Sequence, residues 1–369
     1  MKKIAIIGAS YLQLPLVLKA KELGLEVHCF AWEIGAVCKN IADFFYPISV
    51  IDKDKIFDIC NKIGISGITS IASDIAVPTI SYVAEKLDLV SNTYKDALTT
   101  TNKYEMRKIF IKHNVACPQF TTAKDNYSID GFKFPLIIKP TDRSGSLGVM
   151  KVQTIQELEY AIKRAKNESF ENQCIIEEYI TGAEVSVETI SWQGIHYILS
   201  ITDKVTTGEP YFVELEHHQP SLLNIDIQQK IKTETIKALD SLNIRNGASH
   251  SEFKITNDGQ IFAIEVSGRM GGDFIGSDLV YRSTGYDFLK GVINISLGIF
   301  EKPFFTQTKS AGVLFLCKET EYLLPVFENN INRKEIIKIE RTDKILRHIQ
   351  SSSDRSGYLI YQSDNKFNI

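Results

Sequence analysis

At 369 residues the chain is too long for one small core and suits two or three subdomains. Its 42 basic residues nearly balance 45 acidic ones, so it carries no basic footprint of the kind nucleic-acid binders need. With 44% hydrophobic and 10% aromatic residues it has the composition of a globular protein, and no apolar run approaches the roughly 18 residues of a membrane span. The opening MKKIAIIGAS has the lysines and apolar run of a signal peptide, but the run is too short and is better explained as a first strand. Cys29, Cys38, Cys60, Cys117, Cys174 and Cys317 form no CxxC pair, which predicts reduced packing thiols in a cytoplasmic protein.

Residues 3–8 are an apolar strand that turns at Gly8. Residues 14–23 show helical apolar spacing and stop at Gly24, and 26–32 are a second strand. This β-α-β order predicts an open parallel sheet. A dinucleotide fingerprint would need glycines where the chain has Ser10 and Gln13, so the loop reads as a structural glycine turn. A further strand is predicted over 68–73, followed by Asp74 and a helix over 75–87 with Pro78 near its start. Asp74 either caps that helix or touches a substrate across the strand ends; capping is the simpler reading.

A boundary is predicted at 98–102, where Thr99-Thr100-Thr101-Asn102 is polar, and a helix over 103–113. Residues 134–140 are a buried strand ending on Lys139. The loop 141–149 is built of small residues and holds Gly145 and Gly148. Its N–H groups could turn inward to hold phosphate oxygens, with the lysine reaching the same oxygens, or it could be a plain turn. It is not a Walker A loop, which needs GK[ST] opening a helix. An amphipathic helix over 155–165 and a strand over 174–180 follow. Residues 184–190 alternate, so Glu184, Ser186 and Glu188 share one face, and 195–201 is the expected hairpin partner. Residues 203–208 are predicted as a polar loop. In 212–220 the adjacent His217 and His218 would point to opposite sides of a strand, which argues against a two-histidine metal site. A long helix is predicted over 225–242.

Residues 251–273 read as two strands joined by a turn at Asn257-Asp258-Gly259. A turn centred there pairs residues whose numbers sum to about 516 or 517, placing Glu252 opposite Ile264 or Glu265. Two carboxylates on neighbouring strands could share a cation. Glu265 ends a run that looks buried, and a buried carboxylate is costly unless paired or metal-bound. Arg269 and Gly271-Gly272 follow directly, a combination suited to phosphates. The bland alternative is a surface hairpin with solvated glutamates. Residues 278–297 are predicted helical with one break at Thr284-Gly285. Short strands are predicted at 311–317, 322–327, 336–339 and 357–361, a tail read as scaffolding.

In this order the elements resemble the ATP-grasp superfamily over nearly the whole chain. Within it, His250-Ser251-Glu252 with Arg269-Met270-Gly271-Gly272-Asp273 is similar to the carboxylate–amine ligase branch, which includes bacterial L-amino acid ligases and carnosine synthases. The resemblance implies an α/β fold: an N-terminal open parallel βαβ sheet (1–98), a two-lobed ATP-grasp domain (99–304, α+β, with a mobile lid at about 115–182) and a small β-rich C-terminal subdomain (305–369). It implies that Lys103 and Lys139 contact ATP phosphates, and that Ser144, Gly145, Ser146 and Gly148 belong to the mobile loop over them. Glu177-Glu178-Tyr179-Ile180 matches the adenine hinge, with backbone groups of Glu178 and Ile180 reading the ring edge. Glu184 matches the ribose-binding acid. Glu252 and Glu265 match the Mg²⁺ carboxylates, with Mn²⁺ as an alternative ion. Ser267 stands where asparagine is frequent, which puts a third metal ligand in doubt. Arg269 matches the arginine that stabilises the acyl phosphate, with Lys139 assisting. Lys204, Glu214, His217 and Asp273 are weaker candidates for substrate contact.

The implied reaction is ATP-dependent activation of a small carboxylate, an amino acid for example, followed by joining to an amine. The partners are then small molecules rather than nucleic acid or membrane, and a homodimer is the family expectation. The alternatives are carboxyphosphate chemistry, as in carboxylases and carbamoyl phosphate synthases, and a nucleotide-binding module without turnover. No biotin-domain motif is evident, and a nicotinamide oxidoreductase is weaker still.

Overall fold

The computed structural model describes residues 1–123, 127–328, 333–365 and 367. The chain opens with β1 (Lys3–Ile7), α1 (Leu14–Glu22), β2 (Glu26–Phe30), β3 (Phe44–Tyr46), α2 (Lys53–Ile63), β4 (Gly67–Thr69) and α3 (Val77–Lys86). The four strands form the expected parallel sheet in the order β3-β2-β1-β4. Ile4, Ile6, Val27 and Cys29 are fully buried, as strands covered on both faces require. Gly8 turns with φ +104, and the Gln13 side chain fills the space beside it. Gln13 Oε1 accepts from Ser10 N at 3.1 Å, and its Nε2 donates to Ile71 O at 2.7 Å. The turn is structural, and a side chain sits where a dinucleotide fold would bring phosphate close. β4 ends at Thr69, short of the predicted Ser73, because Ile71 instead bridges in parallel to Met270.

Two helices follow, α4 (Tyr94–Thr101) and α5 (Lys103–Lys112). The expected polar boundary is the last turn of α4, where the Thr100 and Thr101 hydroxyls bond back to Ala97 O. Asn102 caps α5 by accepting from Tyr104 N and Glu105 N, both at 3.1 Å, so Lys103 stands at its first turn. A small sheet comes next: β5 (Phe120–Thr122), β6 (Leu136–Pro140), β7 (Met150–Val152) and, after α6 (Ile155–Glu168), β8 (Cys174–Glu178). Its order is β5-β8-β6-β7 and all its pairs are antiparallel. Leu158, Ala161 and Ala165 of α6 pack on Leu136, Ile138 and Ile176.

The remainder comprises β9 (Ala183–Trp192), β10 (Ile195–Thr206), β11 (Glu214–Gln219), α7 (Ile225–Ser241), β12 (Gly247–Ile255), β13 (Ile261–Ser267), α8 (Val280–Thr284), α9 (Phe288–Ser296), β14 (Ser310–Leu316), α10 (Leu324–Glu328), β15 (Ile336–Arg341) and β16 (Gly357–Ser363). Its strands form one eight-stranded sheet, β13-β12-β9-β10-β11-β14-β16-β15. α7 covers one face, burying Ile231, Ala238 and Leu239 against Val185, Val187 and Phe253.

Two segments differ from expectation. Residues 203–206 are not a loop but the end of β10, pairing with Val185 and Glu184; their polarity belongs to a sheet face that lines a cleft. Residues 322–327 are helical rather than extended. A short apolar run does not distinguish a strand from a buried helical turn, and Pro325 near the start of α10 suits a helix. The break at Gly285 is present, with φ +77.

Phe253 is fully buried between α7 and the sheet. Phe253→Ala should cost about 3–5 kcal/mol, measured as a fall in the urea midpoint with an unchanged slope.

Candidate active site

The β12–β13 hairpin sets the site. Ile255, Lys254 and Phe253 pair with Ile261, Phe262 and Ala263, and a bulge then shifts the register so that Glu252 faces Glu265. Ile264 is the extra residue. A bulge frees a backbone group from the ladder, and here the Ile264 carbonyl accepts from Arg107 Nη2 at 2.5 Å. The bulge changes the register sum from 516 to 517, so Glu252 takes Glu265 and not Ile264 as its partner.

The same face continues across β9 and β10. Lys254, Glu184 and Lys204 stand in one register row, and Glu252, Ser186 and Thr202 in the next. His250, Glu188 and Ser200 form the third. Lys204 Nζ lies 2.6 Å from Glu252 Oε1, 2.9 Å from Glu184 Oε1 and 3.5 Å from Glu214 Oε1. Burial works against its charge, but the three carboxylates prevail and hold its pKa well above the ordinary value. Burial likewise opposes ionisation of Glu252 and Glu184. Lys204 outweighs it for both, with His250 assisting at Glu252, so both acids stay ionised. His250 hydrogen-bonds Glu188 through Nδ1 and lies 3.2 Å from Glu252 Oε1 through Nε2. Burial disfavours its cation, but Glu188 outweighs that and pushes it up to about 9. At neutral pH it is an imidazolium behind the two facing glutamates.

The small sheet and α5 close the other side. Lys103 Nζ donates to Arg143 O at 2.6 Å and to Glu265 Oε1 at 3.0 Å. Lys139 Nζ lies 2.7 Å from Glu177 Oε2, whose Oε1 takes Arg107 Nε at 2.6 Å. Burial opposes ionisation of Glu177, but Arg107 and Lys139 overcome it and hold the carboxyl below its usual range. Ser144, Gly145, Ser146 and Leu147 line the cleft. Gly148 (φ +73) does not; it packs against Pro140 and Glu168, where a Cβ would meet atoms at 3.0–3.1 Å. Glu178, Tyr179 and Ile180 line the cleft at the end of β8. The Glu178 N–H is taken by Gln119 O at 3.0 Å and that of Tyr179 by Pro135 O at 3.1 Å. Any ring-reading donor here must therefore come from Ile180, with Glu178 contributing its carbonyl.

Arg269 and Asp74 form a two-pronged pair, Nε to Oδ1 at 2.9 Å and Nη2 to Oδ2 at 2.7 Å. Asp74 makes no side-chain cap on the helical turn it begins; it orients the arginine. Burial opposes its ionisation, but Arg269 holds its pKa down to about 2.

One cleft therefore brings together Lys103, Lys139, Ser144, Gly145, Ser146, Glu177, Glu178, Tyr179, Ile180, Glu184, Lys204, Glu214, Glu252, Glu265 and Arg269. Ser267 does not line it: its hydroxyl is buried without a partner, opposite His250. His217 and Asp273 lie beside it, with Arg355. His218 faces the opposite side of β11, bonding Tyr361 and Glu216. Among the described residues no group of three or more His, Cys, Asp or Glu is placed to hold a metal. The donor set that fits a hard cation is the facing pair Glu252 and Glu265, completed by oxygens from a ligand. Sequence reasoning missed Arg107, Lys254 and Arg355. Arg107 had a signal, because it lies one helical turn after Lys103 and shares its face. Arg355 had none, being 82 residues from the Asp273 it pairs with.

Glu177→Gln leaves Lys139 and Arg107 buried beside a neutral amide and should destabilise by about 3–5 kcal/mol, measured by urea unfolding at pH 7. The pH dependence follows from Asp74. Its depressed pKa contributes stability that is complete above the unfolded value of about 3.9 and is lost as pH falls towards about 2. Asp74→Asn should flatten the acid limb of a stability–pH profile over that window.

An ATP-grasp domain model matches residues 132–278. Alanine–anticapsin ligase of Bacillus subtilis is 26% identical over 271 residues, covering 63% of this chain and 57% of the relative. D-alanine–D-alanine ligase of Flavobacterium psychrophilum is 28% identical over 178 residues, covering 45% and 53%. The chain thus spans just over half the length of these relatives. An L-amino acid ligase structure from Bacillus licheniformis superposes with a TM-score of 0.80 at 23% identity, covering 99% of this chain and 94% of the other. The N5-carboxyaminoimidazole synthetase of Staphylococcus aureus, solved with ADP, does so at 0.80 and 17% identity, with the same coverage. The segment that matches the ATP-grasp domain, residues 132–278, holds the lysine-ended strand β6, the glycine loop, the end of β8 and the glutamate hairpin.

Proposed function

We propose that the protein is an ATP-dependent carboxylate–amine ligase. The observation that carries this reading is the facing of Glu252 and Glu265 in a cleft that also presents Lys103, Lys139 and Arg269. Glu252 and Glu265 would hold a Mg²⁺ ion, or Mn²⁺ in its place, which would supply positive charge against the phosphoryl group in transfer. Lys103 and Lys139 lie where they can neutralise phosphate oxygens, and the 144–147 segment can cover them. Glu178, Tyr179 and Ile180 form the wall for a base, and Glu184, with Lys254 and Lys204 at its two oxygens, is the acid for the ribose hydroxyls. A carboxylate oxygen attacks the γ-phosphorus and ADP leaves, giving an acyl phosphate. The amine adds to the acyl carbon and phosphate departs, while the proton lost by the amine goes to solvent. Arg269, held rigidly by Asp74, faces the negative charge of the tetrahedral intermediate. Closure of the small sheet over the cleft would keep water from the acyl phosphate.

The names of the relatives support an amino acid as the carboxylate. Glu214 and Lys204 reach the cleft, while His217 and Asp273 flank it, as expected of residues that contact substrate. The same reading keeps the division at 1–98, 99–304 and 305–369, with a lid at about 115–182. Six free cysteines, five of them buried, suit a reducing cytoplasm. No described helix is long and apolar enough to cross a membrane, and a homodimer remains part of the proposal. Carboxyphosphate chemistry is the second reading, favoured by the likeness to N5-carboxyaminoimidazole synthetase.

The test is phosphate release from Mg²⁺-ATP against amino acids and small carboxylates, singly and in pairs, with bicarbonate as a separate arm. Release that needs an acid and an amine together is expected; release with bicarbonate alone would transfer the protein to the second reading. Glu265→Gln should lower release by about 100-fold or more while the protein stays folded with a lowered unfolding midpoint, because the buried Lys103 loses its carboxylate partner. An unchanged rate would defeat the assignment. Glu252→Gln should raise the Mg²⁺ concentration needed for half-maximal release.

A further inference from the structure

Glu188 is a buried carboxyl group that the proposed reaction leaves unused. It is 0% exposed and lies on the same face of β9 as Glu184, one register row behind Glu252. It does not line the cleft. Its Oε2 accepts from Gly271 N at 3.0 Å, and its Oε1 takes His250 Nδ1. The other ring nitrogen of His250, Nε2, lies 3.2 Å from Glu252 Oε1. One carboxylate therefore reaches the turn after Arg269 through one oxygen and, by way of the imidazole, Glu252 through the other.

Residues 269–272 are gripped from two sides. From the parallel sheet, Asp74 holds the Arg269 guanidinium at 2.9 and 2.7 Å, and Ala72 N donates to Met270 O at 3.1 Å. From the inner face of the eight-stranded sheet, Glu188 holds the Gly271 N–H. Space is as tight as the bonding. A Cβ on Gly271 would come within 2.5 Å of Glu188 Oε1 and 2.8 Å of His250 Nδ1. Gly271 is not in the left-handed region, so its small size serves this close approach and not a special φ. The imidazole is rigid, so a bond that fixes Nδ1 also fixes the direction of Nε2 towards Glu252. Lys204 donates to the same Oε1 of Glu252 at 2.6 Å. Both donors thus hold one oxygen and leave Oε2 to a cation. An apolar pair would fill such a space at less cost than two buried polar groups; what a carboxylate adds is direction at both of its oxygens.

We infer that Glu188 is a positioning residue that sets the spacing between Glu252 and the 269–272 turn, holding His250 with one oxygen and the Gly271 N–H with the other. The inference rests on the ligase reading and goes beyond it. The carboxylate that receives the cation and the arginine that faces the acyl carbon are kept in one geometry by a residue that touches neither nucleotide nor substrate. Its action is positional, and no proton or group is transferred to it.

Gly271→Ala is the direct test, because it forces the pair aside while every polar group remains. It should lower kcat for phosphate release and raise the Mg²⁺ concentration needed for binding of a non-hydrolysable ATP analogue, each by about 10- to 100-fold, as when a group behind a metal ligand is disturbed. Binding of ADP without metal, measured by calorimetry, should be unchanged, since the wall at Tyr179 and Ile180 is untouched. Adding Glu188→Asp, which withdraws the carboxylate by one methylene and clears room for the Cβ, should restore part of both losses. Should Gly271→Ala not fold, Glu188→Asp alone carries the same test, because it draws the carboxylate away from both donors. Glu188→Gln keeps the shape. Its amide oxygen can accept from Gly271 N and its NH₂ can donate to a neutral His250, so most of both functions should survive. A fall in the urea midpoint with kcat and the Mg²⁺ requirement at wild-type values would mark a merely structural pair and overturn the inference. A loss in Glu188→Gln as large as in Gly271→Ala, or no recovery in the double variant, would overturn it too. A raised Mg²⁺ requirement in the variant, when the wild type releases no phosphate with any acid and amine, would keep the positioning role and overturn the ligase reading. Absence of Mg²⁺-dependent nucleotide binding in the wild type would overturn both.

Discussion

Charges on the inner face of the eight-stranded sheet have little water to solvate them, so each must find an opposite charge. This requirement organises the centre of the molecule. Lys204 is buried and remains a cation because Glu184, Glu214 and Glu252 surround it. Glu184 and Glu252 remain ionised for the reciprocal reason. Removing Lys204 would leave Glu184, Glu214 and Glu252 without the cation they share, which costs more than a pair contributes. The outcome is a row of ionised carboxylates held ready at a wall of the cleft. In the proposed reaction a nucleotide with its cation would meet acids that are already charged and already oriented, so little reorganisation would be needed for phosphoryl transfer.

Ion pairs of the same kind join the parts of the chain. Glu177, on the small sheet, takes Lys139 from its own sheet and Arg107 from α5, while Arg107 also binds the bulged carbonyl of Ile264. The small sheet, α5 and the glutamate hairpin thus meet at one guanidinium. Asp74, at the end of the parallel sheet, locks Arg269 just after β13, and the bridge from Ile71 to Met270 runs beside that pair. The N-terminal sheet therefore orients an arginine of the cleft without entering the nucleotide region. Such joints are buried and directional, and they transmit position better than an apolar contact, which tolerates sliding.

Elements with a strong local signature were legible in the sequence. The alternation of Glu184, Ser186 and Glu188, the turn at Asn257-Asp258-Gly259, the lysine at the end of β6 and the loop after it all state their structure within a few residues. The resemblance to the ATP-grasp superfamily drew on those pieces in order. Where local pattern and tertiary setting disagree, the setting wins. Residues 203–206 look like a loop because their polarity serves the cleft, and they are a strand because β9 and β11 pair with them. The apolar stretch 322–327 fits a strand or a helix equally well, and packing selects the helix.

From the sequence alone came the class of fold, the hairpin, the facing glutamates as one of two registers and most of the residues that line the cleft, because spacing and alternation are properties of neighbours along the chain. Only the tertiary structure chose the register, through a bulge whose freed carbonyl is met by Arg107 from another element. It alone showed that Asp74 serves Arg269, that Gly148 packs away from the cleft, that Ser267 stands behind it and that Arg355 reaches Asp273. Each of these depends on a partner far away in sequence. A charge on a strand looks the same whether it faces water or another charge until the opposing surface is in place.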